Sequence, residues 1–157
     1  MPVILLTTDD AEEVAALEQQ CFSTPWTAEQ FRQAFEQDTF FLWGIRDAEH
    51  EGIRLEKSKL LAYLAVYCVA GELEVLNIAV HPEVRRKSLG RTLLDTVLQN
   101  AAKTGISRAL LEVRRSNTPA IGLYEALGFE ALGIRRHYYQ DTNEDAIIYG
   151  RELVYAF

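Results

Sequence analysis

Three features of this 157-residue chain combine residue types and spacing that could do chemistry. The first is Glu112, set in the apolar run Ala109-Leu110-Leu111-Glu112-Val113. A carboxylate carried into a buried sheet loses solvation, which tends to raise its pKa and suits a general base. The alternative is a glutamate at a strand end, paired with Arg114 or solvated. The second is Tyr124, which shares a helical face with Ile121 and Leu127. Taken alone it reads as an interfacial core tyrosine with its hydroxyl satisfied. The third is a basic loop holding Arg85, Arg86 and Lys87, with Arg91 just after it, in a chain of net charge -7. It lies between a strand-length apolar run, Leu73 to Val80, and a stretch with Leu89, Leu93, Leu94, Val97 and Leu98 at helical spacing. The first N–H groups of such a helix lack internal partners, and its dipole favours negative charge there, so a pyrophosphate suits the place. A solvated basic turn before a surface helix is the other reading. The loop carries neither G-x-x-x-x-G-K-[ST] nor G-x-G-x-x-G, so ATP and NAD lose their usual signatures.

The elements that must position these residues follow from local signals. Val3 to Leu6 is expected as a strand. Asp9 with Glu12 has capping-box spacing and opens a helix with Val14, Leu17 and Cys21 on one face. Pro25 interrupts it within Phe22-Ser23-Thr24-Pro25-Trp26. Thr27 with Gln30 is a second capping box, placing Phe31, Ala34 and Phe35 inward. Strands are expected at Phe40 to Ile45, Leu60 to Val69, Leu73 to Val80 and Arg108 to Val113, and again at Phe129 to Ile134 and Ala146 to Val154. The second and third of these form a hairpin around Ala70-Gly71-Glu72, with both faces expected to be buried. Arg46 to Lys59 is charged and predicts a long exposed connection, and the polar loop QDTNED joins the last two strands. Gly105 closes the helix after the basic loop. Thr118-Pro119 caps and starts the next helix, which stops at Gly128.

Length and composition, with 48% apolar and 25% charged residues, predict a single globular domain over 1–157. Net acidity argues against direct nucleic-acid binding. The longest apolar run, Leu60 to Ala70, is far too short to span a membrane. Only Cys21 and Cys68 occur, with no metal-ligand spacing, so no metal and a reducing, cytoplasmic setting are expected. Both read as small core residues. Arg135, Arg136 and His137 form a second basic cluster, read as a solvated strand edge.

The stretch Arg85-Arg86-Lys87-Ser88-Leu89-Gly90 resembles the R/Q-x-x-G-x-G/A motif of the GNAT acetyltransferase superfamily, which binds the pyrophosphate of acetyl-CoA. Ser88 stands where the motif has its first glycine, and is expected to fit only if its φ is negative. The order βααβββαβαββ is that of the GNAT fold, an α/β mixed (α+β) single domain with a central mixed β-sheet flanked by helices. Phe22 to Trp26, Leu76 to Pro82, Leu111 to Arg114 with Ser116-Asn117, Ala120 to Phe129, and Ile134 to Tyr139 with Glu144 to Ala146 narrow it. Together they resemble the RimI-type ribosomal-protein alanine N-acetyltransferases.

The resemblance implies acetyl-CoA as co-substrate and the N-terminal amine of a small-subunit ribosomal protein as acceptor, attacked directly in a ternary complex. It implies Glu112 as the base and Tyr124 as proton donor to the leaving thiolate. Ile78, Ala79, Val80, the loop Arg85 to Arg91 (Arg85, Arg86, Lys87, Ser88, Leu89, Gly90, Arg91) and Asn117 would hold the cofactor. Trp26, Tyr138 and Tyr139 would wall the peptide cleft. On its own, Asn117 is equally a turn or cap residue. Two other functions stay open: acetylation of lysine or a small amine, and a non-catalytic CoA-binding or partner-binding module.

Overall fold

The computed structural model describes residues 2–47 and 58–154. In chain order the elements are β1 (Val3–Leu5), α1 (Ala11–Cys21), α2 (Ala28–Phe35), β2 (Phe40–Arg46), β3 (Leu60–Val69), β4 (Glu72–Val80), α3 (Leu89–Lys103), β5 (Arg108–Arg114), α4 (Thr118–Ala126), β6 (Glu130–Tyr139) and β7 (Glu144–Glu152). The strands make one mixed sheet in the order β1-β2-β3-β4-β5-β7-β6. All neighbours are antiparallel except β4 and β5. A parallel pair needs a long crossover, and α3 supplies it.

Helices cover both faces of the sheet. Leu93, Leu94, Val97 and Leu98 of α3 pack with Leu73, Val75, Leu111 and Tyr149. On the opposite face Val14, Leu17, Phe31 and Ala34 of α1 and α2 pack with Leu42, Tyr63 and Ala79. Arg46 fixes α1 to the sheet through Asp10 and Glu13, at 2.7 and 2.6 Å.

Several local expectations hold. The Thr27–Gln30 capping box forms, and Gly105 and Gly128 take positive φ after α3 and α4. Ala70 and Gly71, both at positive φ, make the two-residue turn of the β3–β4 hairpin. Others are corrected. The first capping box is Thr7 with Asp10, which heads a short 3-10 turn before α1, and the N-cap position of α1 is Asp10, not Asp9. The cap of α4 is Asn117, whose side chain accepts from the Ala120 N–H, so Thr118 is the first helical residue. Strand β6 runs five residues past Ile134 as an exposed edge, which an alternation of apolar residues does not reveal. The expected long connection lies mostly at 48–57, outside the described residues, although Asp47 N–H still bonds Lys59 O at 2.8 Å. No helix among the described residues is long and apolar enough to cross a membrane.

Strand β3 is buried on both faces, but β4 is not: Glu72 and Glu74 are exposed and Leu76, Asn77 and Ile78 half-buried. The cause is topological. Strand β4 pairs with β5 only from Glu72↔Arg108 to Val75↔Leu111. On its other side Val66 pairs with Val75 but Ala65 pairs with Asn77, so Leu76 is an extra residue in β4. A bulge of this kind bends a strand and increases its twist. It falls where the β4–β5 ladder stops, and both strands run on, unpaired with each other, to Val80 and Arg114. The gap between them is where the candidate site lies.

Candidate active site

Two hollows meet at this gap. One is a groove of about 750 Å³ between the end of β4, the basic loop and the start of α4. The other is a cleft of about 380 Å³ between the α1–α2 connection, the bulged stretch of β4 and the end of β5. Cys21, Phe22, Ile78, Asn117 and Ala120 line both.

The groove gathers almost all the residues expected to hold the cofactor: Ile78, Ala79, Val80, Arg85, Arg86, Ser88, Leu89, Gly90, Arg91 and Asn117. Lys87 does not line it. Residues alternate in the direction of their main-chain groups along a strand. The Val80 carbonyl faces out of the sheet, accepting from Arg85 Nε at 3.3 Å and from the Cys21 thiol at 3.5 Å. The main chain of Ile78, two residues earlier, therefore faces the same open side. Ser88 immediately precedes α3 at φ +58, in the left-handed region, and Arg86 is at φ +69. The condition under which serine would fit this position without strain, a negative φ, is therefore not met. The reversal of the chain into α3 demands a conformation that glycine adopts without cost and serine does not. Gly90 faces the groove, where the nearest neighbours of an added Cβ would be Val80, Leu123 and Ile78 at 3.5 to 3.8 Å. Three basic side chains (Arg85, Arg86 and Arg91), the first N–H groups of α3, and apolar walls from Ile78, Leu89 and Leu123 suit a ligand with a pyrophosphate and a long neutral arm.

The cleft holds Glu112, Tyr124, Trp26 and Tyr139 together. Glu112 is not the desolvated carboxylate expected from its apolar neighbours. Ala109, Leu111 and Val113 turn to the α3 side, while Glu112 lies on the other face, its side chain 25% exposed. Its partner is Arg135 on β6, with Nε to Oε1 at 2.8 Å, rather than Arg114. Arg114 instead binds Asp141 at 3.0 Å and Glu144 at 3.6 Å, and its guanidinium lies 4.0 Å from the Tyr139 ring centroid. These contacts clamp the β6–β7 hairpin onto β5, and the arginine holds the Asp141 carboxyl below its usual range. Tyr124 is 6% exposed, edge-on to Phe129, and burial with the nearby Tyr139 pushes its phenol up to about 12. Tyr138 stays outside the cleft, 47% exposed, and its pKa is raised chiefly by the Glu112 carboxylate. Asn117 caps α4 and lines the junction of the two hollows.

Sequence reasoning missed Glu18 and Asn77, which also line the cleft. Glu18 sits one turn after Val14 on the buried face of α1, and a charged residue in that apolar stripe was the available signal. Arg135, read as a solvated edge residue, is exposed on the edge strand and in addition pairs with Glu112.

Known proteins share this arrangement. The model of the acetyltransferase (GNAT) family matches residues 11–129. The ribosomal protein bS18-alanine N-acetyltransferase of Escherichia coli K12 is 35% identical over 151 residues, covering 91% of each chain. The crystal structure of the E. coli ribosomal-protein-S18-alanine N-acetyltransferase superposes with a TM-score of 0.84 at 33% identity, covering 99% of this chain and 96% of that one. Arabidopsis thaliana NAA60 in complex with acetyl-CoA shares the fold, with a TM-score of 0.84 at 15% identity over 97% and 98% of the two chains. The chain belongs to the GNAT acetyltransferase family and is an acetyl-CoA-dependent N-acetyltransferase.

Proposed function

We propose that this enzyme acetylates the N-terminal α-amine of a protein, the N-terminal alanine of the small-subunit ribosomal protein bS18, in the cytoplasm. The observation that carries the reading is the meeting of the cofactor groove with a cleft that holds both Glu112 and Tyr124. The E. coli relative, 35% identical, is named for that acceptor, which supports the choice.

The acetyl-CoA pyrophosphate lies at the basic loop and the first N–H groups of α3, and the pantetheine arm runs along Ile78 and Val80. The amine enters through the cleft and attacks the thioester carbonyl, forming the C–N bond as the C–S bond breaks. Glu112 takes the amine proton, and a main-chain N–H of the freed end of β4 meets the developing oxyanion. An α-amine with a pKa near 8 is about a tenth neutral at pH 7, whereas a lysine near 10.4 carries a further cost of roughly 3 kcal/mol. A modest base is therefore sufficient for the α-amine.

Tyr124 works mainly as a hydrogen-bond donor to the departing sulfur. A thiol ionises near 8.5, so full transfer from a phenol at about 12 is uphill by roughly 5 kcal/mol. A charge-assisted hydrogen bond to the sulfur needs no such transfer.

The test is incubation with acetyl-CoA and peptides that begin with alanine or carry only a lysine amine, read by mass. A gain of one acetyl group at the alanine α-amine, faster than at lysine, is the expected result. Modification confined to lysine would overturn the acceptor assignment.

A further inference from the structure

Among the described residues Glu18 is the only buried carboxylate, 1% exposed on the inner face of α1. Its Oε1 accepts from the Tyr63 hydroxyl of β3 at 2.5 Å and from Asn77 Nδ2 of β4. Its Oε2 accepts from the Trp26 backbone N–H at 2.5 Å. Three donors thus converge on one side chain. They come from the strand under the cleft, the residue just after the bulge, and the segment that walls the cleft.

Burying a carboxylate is costly, and a leucine would serve α1 better if packing alone mattered. The charge is useful because only a carboxylate can accept from all three donors at once. A glutamine would turn an N–H group toward one of them. Glu18, Trp26 and Asn77 also line the acceptor cleft themselves.

We propose that Glu18 is the positioning residue of the acceptor side. Its carboxylate ties the Phe22–Trp26 segment to the bulged stretch of β4, and so sets where the acceptor's first residue lies relative to the thioester. The proposal rests on the acceptor cleft assigned above. It requires no proton transfer by Glu18 and no contact with acetyl-CoA.

The experiment measures kcat, acceptor KM and acetyl-CoA affinity for the wild type, Glu18→Gln, Tyr63→Phe and the double variant, using whichever amine peptide the wild type accepts best. Glu18→Gln should raise acceptor KM about tenfold and Tyr63→Phe about threefold, with kcat within threefold and acetyl-CoA affinity within twofold. The double variant should be no worse than Glu18→Gln alone, since both act through one carboxylate. Unchanged acceptor KM with a lowered melting temperature would overturn the proposal, leaving Glu18 a structural residue only. Parallel loss of acetyl-CoA affinity would overturn it too. If Glu18→Gln does not fold, the acceptor KM of Tyr63→Phe and Asn77→Ser decides by the same criteria. A wild type that prefers a lysine peptide contradicts the α-amine assignment but not this one, because the KM ratios are read on that peptide.

Discussion

Arg135 Nε lies 2.8 Å from Glu112 Oε1, so the carboxylate proposed as the base is shared with a guanidinium from the exposed edge strand β6. Arg135 is itself more than half exposed and stands over the Tyr138 ring, 5.9 Å from its centroid. An incoming ammonium group must compete with that guanidinium for the same oxygens. Arg135→Met should therefore lower acceptor KM by about threefold, the modest effect of an exposed ion pair, and leave acetyl-CoA affinity unchanged. A raised KM would mean that Arg135 holds Glu112 in its productive pose instead.

Ser88 at φ +58 makes a second prediction. Ser88→Gly removes the Cβ that the left-handed region disfavours, worth up to about 1 kcal/mol. At saturating acetyl-CoA the melting temperature should rise by about 2–4 °C. A fall under the same conditions would show that the serine hydroxyl is itself a ligand to the cofactor.

Tyr124→Phe removes the donor proposed to meet the departing sulfur. The loss of a hydrogen bond to a charged group, about 1.5–3 kcal/mol, predicts a ten- to hundredfold drop in kcat. Since burial holds the phenol at about 12, the wild-type hydroxyl keeps its proton through the working range, and raising the pH should not rescue the variant. Full activity in the phenylalanine variant would reduce Tyr124 to a core residue packed on Phe129.

Burial raises the Glu18 carboxyl above 4.5, against hydrogen bonds from Tyr63, Trp26 and Asn77 that lower it. The folded chain then binds more protons than the unfolded one between 4.5 and the raised value. The stability contributed by this group is present below that window and lost as pH rises through it. Asp141, Glu144 and Asp145, all lowered, act in the opposite sense but are common to wild type and variant. The melting temperature of wild type minus that of Glu18→Gln should shrink between pH 4.5 and 8. A difference that grows with pH would show that the hydrogen bonds outweigh burial.

Features governed by near neighbours in the chain were legible in the sequence. The Thr27–Gln30 box, the basic loop ahead of α3, and Gly105 and Gly128 at helix ends all rest on contacts within a few residues. What was not legible depends on register between distant strands. The extra residue at Leu76 exists only because of how β4 pairs with Ala65 and Val66 of β3. Glu112 looked buried because its neighbours are apolar, but the alternation of β5 and the early end of the β4–β5 ladder leave it on an open face. Its partner Arg135 is on a strand whose full length the pattern did not show. Glu18 went unread because its companions on the buried face of α1, Ala11, Val14, Ala15 and Leu17, are ordinary core residues.

The most direct test of the account is the turnover of Glu112→Gln with an alanine peptide across pH. Glutamine keeps the shape and removes the base, so kcat near pH 7 should fall by about a hundredfold or more. It should recover in part toward pH 9, where the α-amine loses its proton unaided. Acetyl-CoA affinity should be unchanged, because Glu112 lines the acceptor cleft and not the cofactor groove. Wild-type turnover at pH 7 in this variant would contradict the central claim and leave Glu112 as the ion-pair partner of Arg135 alone.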